Sequence, residues 1–318
     1  MRTIRPLIAA SLALTTAAAL AGCATGTPAA SEESAAAAVP ETLTIEHAQG
    51  ETEVDTNPET VIVLDLASLD TLDALGVEVA GVAKGNLPSY LSAYEGDEYL
   101  NAGTLFEPDY TAIEAAEPDL IIVANRSSEA YPELAEIAPT IDLTLDWADY
   151  IPSFQQNAET LGQIFGKEDE VEAALAEIDD KIAETQDAAA DAGTGLIVLT
   201  SGGEVTAFGP GSRFGWLHDV LGVTPAIEDV EAATHGDPVS FEFLLETDPE
   251  WMFVVDRDAA TGEGTETAEQ ILDNEVVAQT AAWESDQVVY LDPAPWYIVM
   301  SGLTAVNTMV DQIQDGLS

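Results

Sequence analysis

A segment that occurs twice in the chain constrains the fold more than any other feature. Residues 117–126 and 248–257 both begin with an acidic residue, a proline and a second acidic residue. A continuous apolar run follows in each copy, and each copy ends in an arginine, Arg126 or Arg257. Because runs that are apolar at every position are typical of parallel strands covered by helices on both faces, each copy predicts a buried strand. The two arginines are 131 residues apart, which predicts two lobes of similar plan and not a short-period solenoid.

A pattern that ends a helix also occurs twice, which supports two lobes of similar structure. Leu-Gly-Val occurs at 75–77 and again at 221–223, and a glycine after the last apolar residue is a typical helix stop. We therefore predict an α/β fold class with two Rossmann-like lobes, central mostly parallel sheets, one long α-helix joining the lobes and a ligand cleft between them. The predicted boundaries are 42–152 for the N-terminal lobe, 153–192 for a helical segment and 193–318 for the C-terminal lobe.

The helix that joins the lobes is predicted at about 168–190. Its apolar stripe is spaced four, three and four residues apart, at Val171, Leu175, Ile178 and Ile182. A helix of this length would extend over about 30–35 Å. Because a single helix is a stiff link, we expect a small rocking motion and a cleft that is largely preformed.

Two further elements are predicted beside the cleft. A strand at 77–82 leads into a loop at 84–88. A glycine-rich turn at 209–215 contains Arg213, which we expect to begin a helix. The amide groups at a helix N-terminus favour anions, so this turn is a candidate for ligand binding.

The N-terminus has the pattern of a secretion signal. Arg2 and Arg5 precede an apolar stretch at 7–20 that is too short to span a bilayer stably. The stretch leads into Leu-Ala-Gly-Cys, which resembles a bacterial lipobox, and Cys23 is the only cysteine of the chain. We expect removal of residues 1–22, lipidation of Cys23 with palmitate, and a flexible tether over 23–41. An ordinary signal peptide followed by a chance cysteine is the alternative.

The chain beyond residue 22 is extremely acidic. It keeps six basic residues against 59 acidic ones, a net charge of −53. Because the carboxylates are spread along the chain, we interpret them as a surface adapted to high salt or to alkaline surroundings. An acidic face for a partner is the alternative. Nucleic acid as a partner is disfavoured, since it demands basic patches.

Three of the six basic residues are arginines at places where a ligand is expected. In open α/β sheets ligands bind beyond the C-terminal ends of the strands, which is where Arg126 and Arg257 follow the repeated runs. Arg213 lies in the glycine-rich turn. Charge-assisted hydrogen bonds contribute about 1.5–3 kcal/mol each, so the three arginines together predict a site for an anion. Surface ion pairs with carboxylates are the alternative reading of each arginine.

Few other residues offer chemistry. His47 and His218 are expected to be structural, whereas His235 lies in a predicted loop and is a candidate ligand, as is Tyr297. The glycine-rich turn misses the dinucleotide fingerprint by one residue, and Ser212 lacks the flanking glycines of a nucleophile elbow. Since no cysteine–histidine set suits a transition metal either, we predict that the protein is not an enzyme.

Five segments together carry a resemblance to a known family: 84–88, 209–215, 234–236, 255–257 and 292–297. With them the chain resembles the ferric-siderophore-binding lipoproteins of ABC importers, in the catecholate (enterobactin- and petrobactin-type) group of the helix-linked, class III solute-binding proteins. The likeness extends over residues 42–318. It implies that Arg126, Arg213 and Arg257, the arginine triad, surround an anionic ferric catecholate.

The resemblance also assigns the remaining site residues. It implies that His235 and Tyr297 complete the octahedron of iron when the ligand supplies only two catechols, and that Lys84 and Trp296 contact the same ligand. Relatives are often rich in lysine, unlike this chain, which leaves the docking electrostatics with a partner open.

The implied function is capture of a ferric siderophore, an Fe³⁺ catecholate chelate, for iron uptake. The protein is then expected to be a monomer that is lipid-anchored on the outer face of a Gram-positive cell membrane. It would hold no intrinsic cofactor and would hand its cargo to an ABC permease. A haem- or cobalamin-binding protein is one alternative, and a secreted two-lobe α/β enzyme acting on an anionic substrate is another. The native siderophore and its number of catechols stay open.

Overall fold

The computed structural model describes residues 42–227 and 236–318, all of which fall in one compact unit. Within these ranges the strands are β1 (Thr42–His47), β2 (Gly50–Asp55), β3 (Val61–Val63), β4 (Gly81–Val82), β5 (Leu100–Asn101), β6 (Leu120–Val123), β7 (Thr140–Asp142), β8 (Thr194–Ser201), β9 (Glu204–Phe208), β10 (Thr224–Pro225), β11 (Asp237–Val239), β12 (Trp251–Asp256) and β13 (Val288–Leu291).

The helices complete the element order. They are α1 (Leu66–Ala74), α2 (Tyr110–Ala115), α3 (Tyr131–Leu134), α4 (Tyr150–Phe165), α5 (Glu168–Ala189), α6 (Trp216–Asp219), α7 (Phe241–Thr247), α8 (Arg257–Thr261), α9 (Ala268–Leu272), α10 (Ala281–Glu284) and α11 (Leu303–Gly316). Short 3-10 turns occupy Ser89–Glu95, Asn125–Ala130, Trp147–Asp149 and Val277–Gln279, and Ala294–Val299 forms a π-helical turn.

Two separate sheets form the framework, and both are mainly parallel. The first sheet has the strand order β5-β4-β3-β6-β7, with every pairing parallel. The second has the order β11-β9-β8-β12-β13, in which β9 runs antiparallel to β8 and β11, and β10 pairs with β8. The central strands β3, β6 and β8 are almost completely buried, as expected when helices cover both faces of a sheet. The predicted α/β fold class is confirmed.

The repeated segment is a repeat in three dimensions as well. Its first acidic residue, Glu117 in one copy and Asp248 in the other, adopts a left-handed backbone with φ of 48° and 47°. Its second acidic side chain accepts a backbone hydrogen bond from the start of the neighbouring strand. Asp119 binds the amide of Thr60 at 2.8 Å, and Glu250 binds the amide of Thr194 at 2.9 Å. The acidic-Pro-acidic pattern therefore fixes how β6 and β12 enter their sheets.

The long helix lies between the two sheets in the sequence. α5 has 22 residues, and its buried positions include the predicted stripe Val171, Leu175, Ile178 and Ile182. It packs against α4 and α11. At 1.5 Å per residue its length is about 33 Å.

Some element boundaries differ from the predictions. The predicted strand at 77–82 is a strand only at Gly81–Val82, because residues 77–80 are used to return from the end of α1 to the sheet. Val77 there donates its amide to the Leu72 carbonyl at 2.9 Å, not to a strand. The helical segment begins at Tyr150, three residues before the predicted position.

A buried carboxylate joins the first sheet's helix α1 to the C-terminal helix α11. Asp70 accepts hydrogen bonds from the Tyr90 hydroxyl at 2.7 Å and from the amide of Thr304, in the first turn of α11, at 2.8 Å. Burial raises the pKa of the Asp70 carboxyl to about 7, against the lowering effect of these hydrogen bonds. Gly302 precedes α11 at a φ of 105°, close against Asp70 and the backbone of α1.

In the two described ranges, no helix is both long enough and apolar enough to cross a membrane.

Candidate functional site

The arginine triad converges on one side chain, the ring of Tyr297. The guanidinium carbon of Arg213 lies 4.9 Å from the ring centroid, and those of Arg126 and Arg257 lie 5.9 Å from it. Any two of these guanidinium carbons are therefore within about 12 Å of each other. Arg126 belongs to the first sheet's side of the molecule and the other two to the second, so the site is built from both halves.

Arg126 is presented by the turn that follows β6. The preceding Asn125 adopts a φ of 48°, and its amide donates to the Thr144 hydroxyl at 2.8 Å, which fixes the turn. The guanidinium of Arg126 then reaches across to the π-helical turn. It donates to the carbonyl oxygens of Tyr297 and Ile298, both at 2.9 Å. Arg126 thus holds the backbone that carries Tyr297.

Arg257 begins α8 directly after β12, where the Asp256 side chain caps the helix by accepting from the Ala259 amide at 2.9 Å. Its Nε donates to the Tyr297 hydroxyl at 2.9 Å, and its Nη1 donates to the Ser201 hydroxyl at 3.2 Å. The hydrogen bond to Tyr297 is the main cause that raises the pKa of Arg257 above its ordinary value.

Arg213 lies in a tight turn and does not begin a helix, contrary to the prediction. The turn is closed by Ser212, whose hydroxyl donates to the Gly209 carbonyl at 2.7 Å, and α6 starts only at Trp216 and is four residues long. An anion site at a helix N-terminus is therefore wrong here. The guanidinium of Arg213 instead lies between two aromatic rings, 4.8 Å from the Phe214 centroid and 4.9 Å from that of Tyr297.

The triad carries excess positive charge within a very acidic protein. Among the described residues the arginine ion pairs are those of Arg257, with Glu263 at 3.4 Å and Asp258 at 3.8 Å, and no carboxylate pairs with Arg126 or Arg213. Burial, together with the nearby charge of Arg126, lowers the pKa of Arg213 to about 10. Burial also lowers the pKa of Arg126. Arg126 is attracted by the buried Asp65 carboxylate, but neither Arg126 nor Arg213 forms an ion pair, so both partly buried cations are poised for an anionic ligand.

The segment that carries Tyr297 rests on an aromatic stack. Trp296 is 1% exposed, and its ring lies 5.2 Å from that of Trp216, which in turn lies 5.1 Å from the ring of Tyr150. The Trp296 indole donates to the Gln312 side chain at 2.9 Å. The structure therefore places Trp296 in the core, where it supports the segment that carries Tyr297.

The other predicted site residues are placed as follows. The ammonium group of Lys84 donates to the carbonyl oxygens of Glu95 at 3.2 Å and Gly96 at 2.5 Å, so it caps the end of a 3-10 turn. The structure does not bring it into contact with the triad. His235 and Cys23 lie outside the described residues.

Two residues near the triad were missed by the sequence reasoning. Met300 follows the π-helical turn with a φ of 68°, and its sulfur contacts the guanidinium groups of Arg126 at 3.6 Å and Arg213 at 2.7 Å. Phe214 forms the second face of the Arg213 sandwich. The adjacency of Phe214 to an isolated arginine was a usable signal. No local signal marks Met300, because its contacts depend on residues 87 and 174 positions away.

Two other features do not qualify as the site. A groove of about 540 Å³ runs between α4 and α5, but its charged lining residues are carboxylates such as Glu159, Glu168 and Asp179. Within residues 42–227 and 236–318, no group of three or more histidine, cysteine or acidic side chains is arranged to hold a metal ion.

Comparison with known proteins gives a consistent result. The family model described as periplasmic binding protein matches residues 61–295. The petrobactin-binding protein YclQ of Bacillus subtilis (strain 168) is 44% identical over 282 residues, which cover 87% of this chain and 89% of YclQ. The ferric-anguibactin-binding protein FatB of Vibrio anguillarum is 32% identical over 281 residues, which cover 86% and 87% of the two chains.

Solved structures extend the similarity to three dimensions. The crystal structure of YclQ aligns with a TM-score of 0.85 at 43% identity and covers 88% of this chain and 99% of that one. The periplasmic catecholate-siderophore binding protein VctP of Vibrio cholerae aligns with a TM-score of 0.82 at 36% identity, covering 86% and 100%. The similarity thus extends over both sheets and the helix that connects them.

Proposed function

Because the chain belongs to the periplasmic binding protein family, we propose that it captures an anionic ferric catecholate siderophore outside the cytoplasm and hands it to the permease of an ABC importer for iron uptake. One observation carries the proposal. Three guanidinium groups from both halves of the molecule surround one point, and two of them form no ion pair among the described residues. The names of the similar proteins, which specify petrobactin, ferric anguibactin and catecholate siderophores, support the same class of ligand.

The chemistry of the triad suits this ligand. A ferric tris-catecholate is a trianion made of aromatic rings, and guanidinium groups both pair with anionic oxygens and stack on rings. At physiological ionic strength the screening length is about 8 Å, so most distant carboxylates do not weaken the local attraction. Each charge-assisted hydrogen bond contributes about 1.5–3 kcal/mol, which makes three arginines sufficient for tight binding.

Iron enters as cargo within its chelate. When a siderophore supplies only two catechols, four oxygen ligands, the octahedron of Fe³⁺ has two open positions. Tyr297 and His235 would fill them, the phenol losing its proton to water as it binds iron. Lys84 and Trp296 belong to the same proposal as outer contacts, although in this structure Lys84 caps a 3-10 turn and Trp296 lies in the core.

The alternatives fit the site less well. A haem or cobalamin site needs an axial ligand or an aromatic slot and has little use for three converging cations. An enzyme needs a nucleophile activated by a base or an acid–base pair, whereas the hydrogen-bond partners of Arg126 and Arg257 are mainly backbone carbonyls and the hydroxyls of Tyr297 and Ser201.

A fluorescence titration tests the function. Trp296 stacks on Trp216, and its ring lies 6.4 Å from that of Phe214, which contacts Arg213, so a ferric chelate bound at the triad should quench tryptophan emission. We expect saturable 1:1 quenching by ferric bis- and tris-catecholates and none beyond inner-filter loss by haem or cobalamin, with free tryptophan at equal absorbance as the control. Binding of haem or cobalamin alone, or turnover of a phosphate or acyl ester, would overturn the proposal.

The proposal includes a lipid anchor at Cys23 on the outer face of the membrane of a Gram-positive cell, with residues 24–41 as a tether and the protein acting as a monomer. In a Gram-positive host, the full-length chain should incorporate labelled palmitate and stay with the membrane fraction. The Cys23→Ser variant should do neither. Equal labelling of both forms would contradict the anchor.

A further inference from the structure

Tyr297 uses the same groups of the triad that a catecholate would use. Its hydroxyl accepts the hydrogen bond from Arg257 Nε at 2.9 Å. Its ring lies against Arg213 at 4.9 Å and is flanked by Arg126 and Arg257 at 5.9 Å. The phenol of Tyr297 is a catechol that lacks one hydroxyl group, so the side chain resembles one catechol group of the proposed ligand.

This overlap means that ligand and side chain exclude each other. A catecholate oxygen that accepts from Arg257 Nε needs the donor that Tyr297 now occupies, and a catecholate ring stacked on Arg213 needs the same face of the guanidinium. The backbone of Tyr297 is held in place by Arg126, which donates to the carbonyl oxygens of Tyr297 and Ile298. The exchange is therefore a rotation of the Tyr297 side chain and not a shift of the segment.

We propose that Tyr297 is an internal competitor for the triad, and that this competition sets which iron coordination number the protein prefers. The inference rests on the proposed function. It predicts that replacing Tyr297 changes the affinity for hexadentate and for tetradentate siderophores in opposite directions. A hexadentate chelate displaces Tyr297 and offers it no position on iron, so the contacts with the arginines are lost without replacement. A tetradentate chelate also displaces it, but leaves an iron position for the phenolate.

Two variants of Tyr297 separate these contributions. Tyr297→Ala removes both the ring and the hydroxyl, whereas Tyr297→Phe keeps the ring among the arginines and removes only the oxygen. For a ferric tris-catecholate, we expect Tyr297→Ala to raise the affinity about three- to thirtyfold, since one hydrogen bond and the cation–π contacts no longer have to be broken. Tyr297→Phe should raise the affinity less, because the ring still has to leave the arginines.

For a ferric bis-catecholate, both variants should weaken binding at least about tenfold, because neither supplies a phenolate to iron. The visible charge-transfer band of the bis-catecholate bound to the wild type should also change in Tyr297→Phe, since a phenolate ligand is lost. Tyr290→Phe is the matched control. Tyr290 is 38% exposed on β13, and its replacement should leave both affinities unchanged within about twofold.

The outcomes distinguish the inference from the function on which it rests. If the wild type binds both chelates but the Tyr297 variants shift both affinities in the same direction, or leave the tris-catecholate affinity unchanged, the competition is disproved and the receptor function stands. If the wild type binds neither chelate, the proposed function fails and the inference fails with it. Circular dichroism of each variant checks that the fold is kept. If Tyr297→Ala folds poorly, Tyr297→Phe alone shows whether the affinity for the tris-catecholate rises or falls.

Discussion

Replacing Arg213 with methionine is expected to weaken binding of a ferric catecholate about 10- to 150-fold, which corresponds to the loss of one charge-assisted hydrogen bond. The same change is expected to stabilise the protein without ligand by at least about 1 kcal/mol. Arg213 is partly buried without a carboxylate partner, and burial together with Arg126 lowers its pKa to about 10. At pH 7.5 the arginine is charged in both the folded and the unfolded protein, so the full cost of holding that charge is present. Methionine keeps the apolar stem between Phe214 and Tyr297 and removes the charge.

Lys167→Met is the matched control for Arg213→Met. It also removes one positive charge, but from the surface, where Lys167 pairs with Glu170 at 3.1 Å at the start of α5. We expect its affinity for the ferric catecholate to stay within about twofold of the wild type and its stability to fall by less than about 1 kcal/mol. Titration and urea unfolding of both variants measure the two effects. An Arg213→Met protein that binds as tightly as the wild type, or one that becomes less stable, would contradict the account.

Replacing Gly302 with alanine is expected to lower the free energy of unfolding by about 3–5 kcal/mol. Gly302 has a φ of 105°, a conformation that an L side chain rarely adopts. A methyl group there would also press against the Asp70 carboxylate and lie 2.8 Å from the Ala67 carbonyl oxygen. The change would therefore push α11 away from α1 and break the hydrogen bond between Thr304 and Asp70.

Gly76→Ala separates backbone strain from this collision. Gly76 has a φ of 66°, but no heavy atom lies within 4 Å of the position where a methyl group would be added. Only the cost of the left-handed backbone conformation remains, so the free energy of unfolding should fall by about 1 kcal/mol. Urea unfolding of the two variants gives the comparison. Equal losses would show that α1 and α11 are not held together at Gly302 as the structure indicates.

The fold was predictable from the sequence to the extent that it follows from local patterns. The acidic-Pro-acidic turns and the apolar runs identified β6 and β12, because burial on both faces leaves a run without polar interruption. The stripe on α5 was equally readable, since Val171, Leu175, Ile178 and Ile182 repeat with the period of a helix. The strand at 77–82 was wrong in extent, because an apolar run does not reveal where the chain returns from a helix to the sheet.

The site was predictable in part, for a similar reason. Arg126 and Arg257 could be placed because the C-terminal ends of the strands follow from the strand pattern itself. The contacts of Arg126 with the carbonyl oxygens of Tyr297 and Ile298 connect residues more than 170 positions apart, which no local pattern specifies. For the same reason the sequence did not show that Trp296 lies in the core or that Lys84 caps a turn.

Locating iron in the complex tests the central claim most directly. Anomalous X-ray diffraction at the iron edge, from crystals grown with a ferric catecholate, gives the position of the metal without any assumption about the ligand. We expect iron between the guanidinium groups of Arg126, Arg213 and Arg257, with catecholate oxygens about 2.7–3.2 Å from their nitrogens. Iron bound at any other place on the protein, with the triad still closed around Tyr297, would contradict this expectation.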